Sequence, residues 1–135
     1  MSVPPSAQPR IFKNKWFLRF AQRQNIADQQ LCEAVARAQR GLIDADLGGG
    51  VIKQRIARPN EGKSGGYRSI VLFQAARHVF FVYGFAKNER DNIGDNELKA
   101  FKRAAEVSLA FDDEELQKLL IASELTEVHC NEEDL

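Results

Sequence analysis

Residues 62–93 read GKSGGYRSIVLFQAARHVFFVYGFAKNERDNI, and this stretch decides the predicted fold. It contains two runs rich in β-branched and aromatic residues, at 67–73 and 79–85, joined by a short polar connection. Runs of this length and composition, so close together, predict a β-hairpin. Basic residues before, within and after the two runs give this hairpin a positive charge.

Arg68 lies inside the first predicted strand. Because strand side chains alternate between faces, Arg68 shares a face with Ile70 and Leu72, whereas Tyr67 and Ser69 point the other way. A guanidinium on an otherwise apolar face needs an acidic partner or a cleft that binds an anion, since burying it unpaired costs roughly 3 kcal/mol or more. Residue chemistry alone leaves both alternatives open.

The net charge of zero conceals a strong polarity along the chain. Residues 1–90 hold 15 Lys and Arg against 6 Asp and Glu, a balance of +9, and residues 91–135 hold 4 against 13, a balance of −9. A basic body with an acidic tail predicts a surface that binds polyanions. We expect the tail, residues 112–135, to fold over this surface or to form part of a partner-binding surface; a merely solvated acidic helix is the alternative.

The 135 residues, 44% of them hydrophobic, predict one folded domain. No apolar run is long enough to cross a membrane, and residues 1–10 lack the apolar centre of a signal peptide, so we expect a cytoplasmic protein without membrane contact. Two cysteines do not make a disulfide framework, which suits a reducing compartment, and Cys32 is predicted to be a small buried filler.

Hydrophobic periodicity predicts the order helix, helix, strand, strand, strand, helix, helix. The predicted helices cover about 13–24, 28–40 and 95–110, with a last one inside 112–128, and the predicted strands cover 51–57, 67–73 and 79–85. Asp28 and Asp95 are the expected N-caps, Gly41 ends the second helix, and the aromatic stripe of the first helix (Phe12, Trp16, Phe17 and Phe20) is expected to pack in the core.

This order predicts an α+β fold, in which an N-terminal helical hairpin and C-terminal helices pack on one face of a small twisted antiparallel sheet. Residues 1–10 are predicted to be a disordered lead-in, residues 11–110 the domain, and residues 111–135 an acidic C-terminal helix and tail.

Metal, nucleotide and nucleophile sites find little support in the sequence. The histidines and cysteines lack the spacing of metal ligands or of a catalytic triad, and the three glycines at 48–50 are not followed by the lysine of a phosphate-binding loop. We therefore predict no metal and no cofactor.

The remaining signal is a set of cations able to bind a phosphodiester and to stabilise the charge that develops when it is attacked. Its members are Lys53, Arg55, Lys63, Arg68, Lys87 and Arg90, with Glu89 and Tyr67 close in sequence. Lys53 and Arg55 share one face of the strand at 51–57, and Ile52 and Ile56 share the other. If the substrate is RNA, its 2′-hydroxyl is a built-in nucleophile and no metal is needed.

Three segments also carry a family resemblance: LGGGVIKQRIA at 47–57, GKSGGYRSI at 62–70 and FVYGFAKNERDNI at 81–93. Together they resemble the RelE/ParE toxin superfamily, most closely its RelE/HigB-like branch of type II toxin–antitoxin modules, over about residues 12–109. The resemblance implies a helical hairpin on a twisted antiparallel sheet. It also implies an endoribonuclease, or mRNA interferase, that inhibits translation by cleaving mRNA in the ribosomal A site, and a cognate antitoxin that wraps or blocks the toxin in a hetero-oligomer.

The resemblance implies roles for individual residues. Arg68 matches the phosphate-stabilising arginine, and Lys53 and Arg55 match the basic pair on the preceding strand, which the resemblance places at the catalytic site. Lys87 and Arg90 match the charged end of the last strand, which, with Lys63 and Tyr67, we expect to contact RNA.

The chain departs from the family pattern at two places. Gly94 lies near the usual position of a tyrosine, and Asn88 stands where an arginine is common. Our hypothesis is that Arg68 stabilises charge and that Lys53 or Glu89 moves the proton, with Lys63 as a further candidate base. Two other readings stay open: a non-enzymatic gyrase inhibitor like the ParE branch, and a binding or regulatory module of the same fold.

Overall fold

The computed structural model of the chain describes residues 9–57, 66–75 and 77–130. These residues form six strands and four helices, an α+β architecture. In chain order the elements are β1 (Arg10–Asn14), α1 (Lys15–Gln24), α2 (Asp28–Gln39), β2 (Ala45–Gly48), β3 (Val51–Ile56), β4 (Tyr67–Phe73), β5 (His78–Ala86), α3 (Asp95–Ser108), α4 (Asp113–Ile121) and β6 (Leu125–Val128).

One mixed sheet joins all six strands in the order β2-β3-β4-β5-β1-β6. The predicted hairpin is confirmed as β4 and β5, which pair antiparallel at the centre of the sheet. β1 runs parallel to β5, and the other neighbouring strands are antiparallel. The central hairpin therefore fixes the positions of both flanking halves.

The prediction of an N-terminal helical hairpin is wrong in its first element, because a strand comes before the helices. The periodicity predicts that Lys13 starts the first helix, yet Lys13 lies on β1. Its side chain is nearly buried against Asp28. A charged residue on the buried face hides the alternation of a strand. The four-residue spacing between Phe12 and Trp16 then imitates a helix.

Helices cover both faces of the sheet rather than one. On the first, which we call the α1–α2 face, the two helices bury Phe17, Leu31 and other apolar residues against the sheet. On the second, the α3–α4 face, Ala105 and Leu116 pack with Phe12, Ile70 and other residues. Opposite faces of β4 belong to different cores, which explains why all of its residues except the last are buried.

The predicted N-caps at Asp28 and Asp95 are each displaced by one residue. Ala27 and Gly94 occupy the cap positions, and the side chains of Gln30 and Glu97 reach back to accept hydrogen bonds from their backbone N–H groups. Asp28 instead becomes the first residue of α2, where it is free to pair with Lys13.

The C-terminal segment is not one helix. Ser123 adopts a left-handed backbone conformation, with φ 59°, just after α4, and the chain turns back to form β6. β6 pairs with β1 at the sheet edge opposite β2 and β3. We expected the tail to fold over the basic strands, and residues 112–130 do not do so. Residues 131–135 lie outside the described residues.

Cys32 is buried as predicted, but the expectation that the cysteines are free is wrong, because Cys32 and Cys130 form a disulfide. The bond joins α2 to the residue two positions after β6 across a sequence separation of 98. It fastens the C-terminal end of the chain to the core beneath α2. Because both cysteines are bonded, they do not indicate a reducing compartment.

The glycines at 48–50 do form the predicted tight turn, and all three have positive φ. The turn joins β3 to β2, a short edge strand that the sequence did not reveal. No helix among the described residues is long and apolar enough to cross a membrane.

Candidate functional site

Three cations lie together on the α3–α4 face, and we call them the basic row: Lys53, Arg55 and Arg68. β3 carries Lys53 and Arg55, and β4 carries Arg68. Arg55 is the direct cross-strand partner of Arg68, while Lys53 is opposite Ile70. Directly paired residues share a face with their Cβ atoms about 4.5–5.5 Å apart, so the alternation predicted for both strands has brought three positive charges together.

Arg68 is 8% exposed and has an acidic partner. Its Nε lies 3.3 Å from Oδ2 of Asp44, and Nη1 makes a long contact, 3.5 Å, with the carbonyl oxygen of Tyr67. The acidic partner posed by the sequence is therefore confirmed, and binding of an anion by this side chain stays a prediction. The guanidinium is paired, but a guanidinium has five N–H donors, and its Nη2 group makes no hydrogen bond within the described residues.

A buried amide holds Asp44 in position. Gln54, which is 2% exposed, accepts a hydrogen bond from the Asp44 backbone N–H at 3.0 Å. Its Nε2 donates to the carbonyl oxygens of Ala34 at 2.9 Å and Leu42 at 3.1 Å. Gln54 thus ties the connection between α2 and β2 to the sheet, and this connection presents Asp44 to Arg68.

Arg90 is already held by other residues. It forms a two-pronged ion pair with Glu97, donates from Nη1 to the Tyr83 hydroxyl at 2.8 Å and donates from Nε to the carbonyl oxygen of Asn92 at 2.6 Å. Hydrogen bonding to Glu97 raises the pKa of Arg90, and the same contact lowers the pKa of Glu97, helped by the Gly94 backbone N–H. Arg90 therefore connects the end of β5 to the start of α3.

Residues of α1, of β5 and of the segment just after β5 line an open pocket of ≈ 350 Å³. Its apolar side consists of Trp16, Phe20, Gly84, Phe85 and the ring of Tyr83, and its polar side consists of Arg23, Gln24, Glu89 and Arg90. Trp16 packs against Tyr83 with ring centroids 4.5 Å apart and ring planes 33° apart. Phe17 and Phe20 pack in the core as predicted, but Trp16 remains 39% exposed.

The remaining predicted site residues are dispersed. Tyr67 lies on the α1–α2 face, is 1% exposed and donates its hydroxyl hydrogen to Oε1 of Gln24 at 2.9 Å. Lys87 and Glu89 are exposed just beyond the end of β5. Lys63 lies outside the described residues. The structure thus brings together Lys53, Arg55 and Arg68 but not the whole predicted set.

Sequence reasoning missed Asp44, Gln54 and Tyr83. Asp44 sits in a connection 24 residues before Arg68, and nothing local indicates that the two meet. Gln54 gave a usable signal, because it is a polar residue between Ile52 and Ile56 on the face predicted to be buried, where a side chain needs hydrogen-bond partners. Within the described ranges, no three His, Cys, Asp or Glu side chains cluster as metal ligands.

Comparison with protein families gives a match over most of the chain. A model described as the RelE toxin of the RelE/RelB toxin–antitoxin system matches residues 9–128. The match includes β1 and β6, so it extends beyond the segment, 12–109, on which the sequence resemblance rested. No curated protein matches the chain.

Proposed function

The chain belongs to the family of RelE toxins of RelE/RelB toxin–antitoxin systems, and on this premise we propose that it is an endoribonuclease that cleaves mRNA on the ribosome without a metal ion. Toxins of this family pair with an antitoxin in a toxin–antitoxin module. The observation that supports catalysis is the basic row, with Arg55 and Arg68 directly opposite each other on adjacent strands.

The proposed reaction needs no nucleophile from the protein. The 2′-oxygen of one nucleotide attacks the adjacent phosphorus, the bond from phosphorus to the 5′-oxygen breaks, and the products are a 2′,3′-cyclic phosphate and a 5′-hydroxyl. A base takes the proton from the 2′-hydroxyl, and an acid gives a proton to the leaving 5′-oxygen. In this scheme Arg68 stabilises the charge that develops on the non-bridging oxygens.

Rigid placement supports this role for Arg68. Its backbone is in the centre of the sheet, and Asp44 engages Nε, which leaves Nη2 for a phosphate oxygen. Charge stabilisation is most effective when donors need no reorganisation during the reaction, and a guanidinium held at one edge meets this condition. Arg55 and Lys53 then attract the RNA backbone to the same face.

Two residues are candidates for moving the proton. Lys53 shares the face of Arg68 and is offset from it by one diagonal position, because it pairs with Ile70. Glu89 is exposed beyond β5 and lines the pocket beside Trp16. The pH dependence of the cleavage rate in Lys53→Ala and Glu89→Gln variants distinguishes the two candidates. Only the variant that lacks the base should lose the dependence of the rate on that group's ionisation.

The function is tested by primer extension on a defined mRNA, with and without programmed ribosomes, comparing the parent with Arg68→Ala. We expect cleavage only with ribosomes and a fall of about 100- to 1,000-fold in the variant, as when one donor to a developing oxyanion is removed. Arg77→Ala is the matched control, because Arg77 is an exposed arginine at the opposite end of the sheet, beside the start of β5.

Intact mRNA after incubation with parent protein and ribosomes would contradict the nuclease. A DNA supercoiling assay with gyrase would then test the non-enzymatic alternative. A parent and an Arg68→Ala variant that cleave equally fast would contradict only the role of Arg68.

A further inference from the structure

Trp16 presents a large aromatic surface at the mouth of the pocket. The residue is 39% exposed, although its ring stacks on Phe20, with centroids 5.3 Å apart and planes 18° apart, and packs at a tilt of 33° against Tyr83. Phe20 is itself fixed by close packing on Gly84, where a Cβ atom would come within 2.5 Å of the Phe20 ring. The indole is therefore packed against two aromatic rings and keeps part of its surface exposed at the pocket.

Two of the rings that line the pocket lie on the same face of the sheet as the basic row. Phe85 is the cross-strand partner of Arg68, and Tyr83 is the partner of Ile70, so both rings lie on the face that carries Lys53 and Arg55. β1 pairs with β5 only as far as Phe81. Beyond that point α1, rather than a strand, lies beside β5, and this arrangement brings Trp16 next to Tyr83.

One face of the sheet therefore carries the guanidinium groups of Arg55 and Arg68 on β3 and β4, and aromatic rings on the neighbouring strand β5. Single-stranded nucleic acid requires this combination, because cations follow the backbone while bases stack on aromatic side chains. The volume of ≈ 350 Å³ is in the range of small-molecule sites, and Arg23 and Gln24 at its rim supply hydrogen-bond donors.

We propose that this pocket, which we call the Trp16 pocket, binds an unpaired RNA base by stacking it on Trp16, while the RNA backbone follows the face of the sheet that carries Arg68. The inference rests on the proposed function, because it takes RNA as the substrate. It adds a base-binding site to the phosphate site and assigns a role to α1 in substrate binding. The cations beside the pocket favour RNA over a protein segment as its occupant.

Trp16 is the only tryptophan in the chain, so its fluorescence reports on this pocket alone. The probe is a labelled 2′-O-methyl tetranucleotide, which lacks the nucleophilic hydroxyl and so cannot be cleaved by the proposed reaction. Its control is the same backbone with one base removed at each position in turn. Anisotropy measures binding, and tryptophan emission measures stacking in the same titration at low salt.

We expect the complete probe to quench Trp16 fluorescence as it binds. Removal of one particular base should abolish the quenching and weaken binding by about 5- to 150-fold, the range for one base stacked on an aromatic side chain. Binding that leaves Trp16 emission unchanged, or that is equally tight without any base, would overturn the pocket assignment and leave the site to a protein partner.

Substitutions test the same site without relying on fluorescence. Trp16→Leu keeps an apolar side chain but removes the ring face, so binding of the complete probe should weaken by about 5- to 150-fold. Trp16→Tyr keeps a ring face and should bind close to the parent affinity, and Val107→Ala, at an exposed apolar residue on α3, is the remote control. Thermal unfolding verifies that each variant is folded.

Equal binding by Trp16→Leu and the parent would overturn the assignment, as would failure of the parent to bind either probe. The nuclease is judged separately by primer extension on ribosomes. Cleavage that depends on Arg68 but not on Trp16 would therefore refute the pocket and leave the proposed function standing.

Discussion

The two faces of the sheet each bury a strand cation beside an aspartate, with different surroundings. On the α1–α2 face, Lys13 Nζ lies 2.9 Å from Asp28 Oδ1, and the side chains are 9% and 41% exposed. On the α3–α4 face, Arg68 and Asp44 are 3.3 Å apart, and their side chains are 10% and 32% exposed. The distances and burial are similar, so neither indicates which pair has a function.

The neighbours make the difference. Lys13 has Phe81 as its partner on β5 and lies in an apolar core. Arg68 has Arg55 directly opposite, and Lys53 lies two residues before Arg55 on the same strand. A single ion pair in a core stabilises a fold, whereas several cations on one face also attract an anion from outside. We therefore expect changes on the α1–α2 face to alter stability and changes at the basic row to alter activity.

The largest effect on stability should come from the disulfide on the α1–α2 face. Cys130→Ser should lower the free energy of unfolding by about 2–4 kcal/mol, because the bond closes a loop of about one hundred residues. Urea unfolding measures the loss, and the parent in reductant should match the variant. At a temperature where the parent and the variant are both folded, the two should cleave RNA at the same rate. A slower reaction in the variant would contradict the expectation that changes on the α1–α2 face alter stability and not activity.

Asp28→Asn should reduce the free energy of unfolding by about 2 kcal/mol, because it leaves the ammonium of Lys13 nearly buried without its counter-charge. The cleavage rate in single-turnover primer extension should equal that of the parent. The matched exposed control is Glu114→Gln, which removes a surface pair with Lys118 and should cost well under 1 kcal/mol.

Asp44→Asn is the counterpart on the other face. We expect the cleavage rate to fall about tenfold, because the carboxylate that orients Arg68 is replaced by a weaker acceptor. The same substitution in an Arg68→Ala background should have little further effect on the rate. A full additional loss in the double variant would show that Asp44 acts independently of Arg68.

The smallest effect concerns His78, on the α3–α4 face far from the basic row. Burial and then the nearby Arg77 and Arg10 lower its pKa in the folded protein. The unfolded chain therefore takes up this proton first, so stability is fully present above pH ~6.5 and declines as the pH falls from there toward the lower folded-state pKa. Unfolding at pH 7.5 and 5.5 should show a smaller decline in His78→Gln than in the parent; equal declines would assign the effect to other groups.

Part of this architecture is predictable from local pattern. The hairpin of β4 and β5, the face shared by Lys53 and Arg55, and the turn at 48–50 follow from alternation and glycine content, because all three depend on neighbours in sequence. The features that escaped prediction depend on distant residues. The local pattern around Lys13 predicts a helix, and only the folded structure places Asp28 beside it. The local pattern around Cys32 predicts a buried free thiol, and only the folded structure places Cys130 within bonding distance.

The candidate site divides in the same way. The side chains of the basic row are visible in the sequence, whereas their partner Asp44 and the pocket of Trp16 and Tyr83 appear only when α1, β5 and the connection after α2 are assembled. Ser123 is a local feature that the sequence nevertheless does not reveal. Serine is not a residue that usually adopts the left-handed conformation, so its presence does not predict the end of α4.

The position of β1 between β5 and β6 also has a consequence for synthesis of the protein. During synthesis, β1 finds its parallel partner only after His78 is added, and its other partner only after Leu125. Such pairings between distant parts of the chain are slow to form, and during translation they wait for the later residues to emerge. A nascent chain therefore cannot complete this sheet until the residues of β6 have been added.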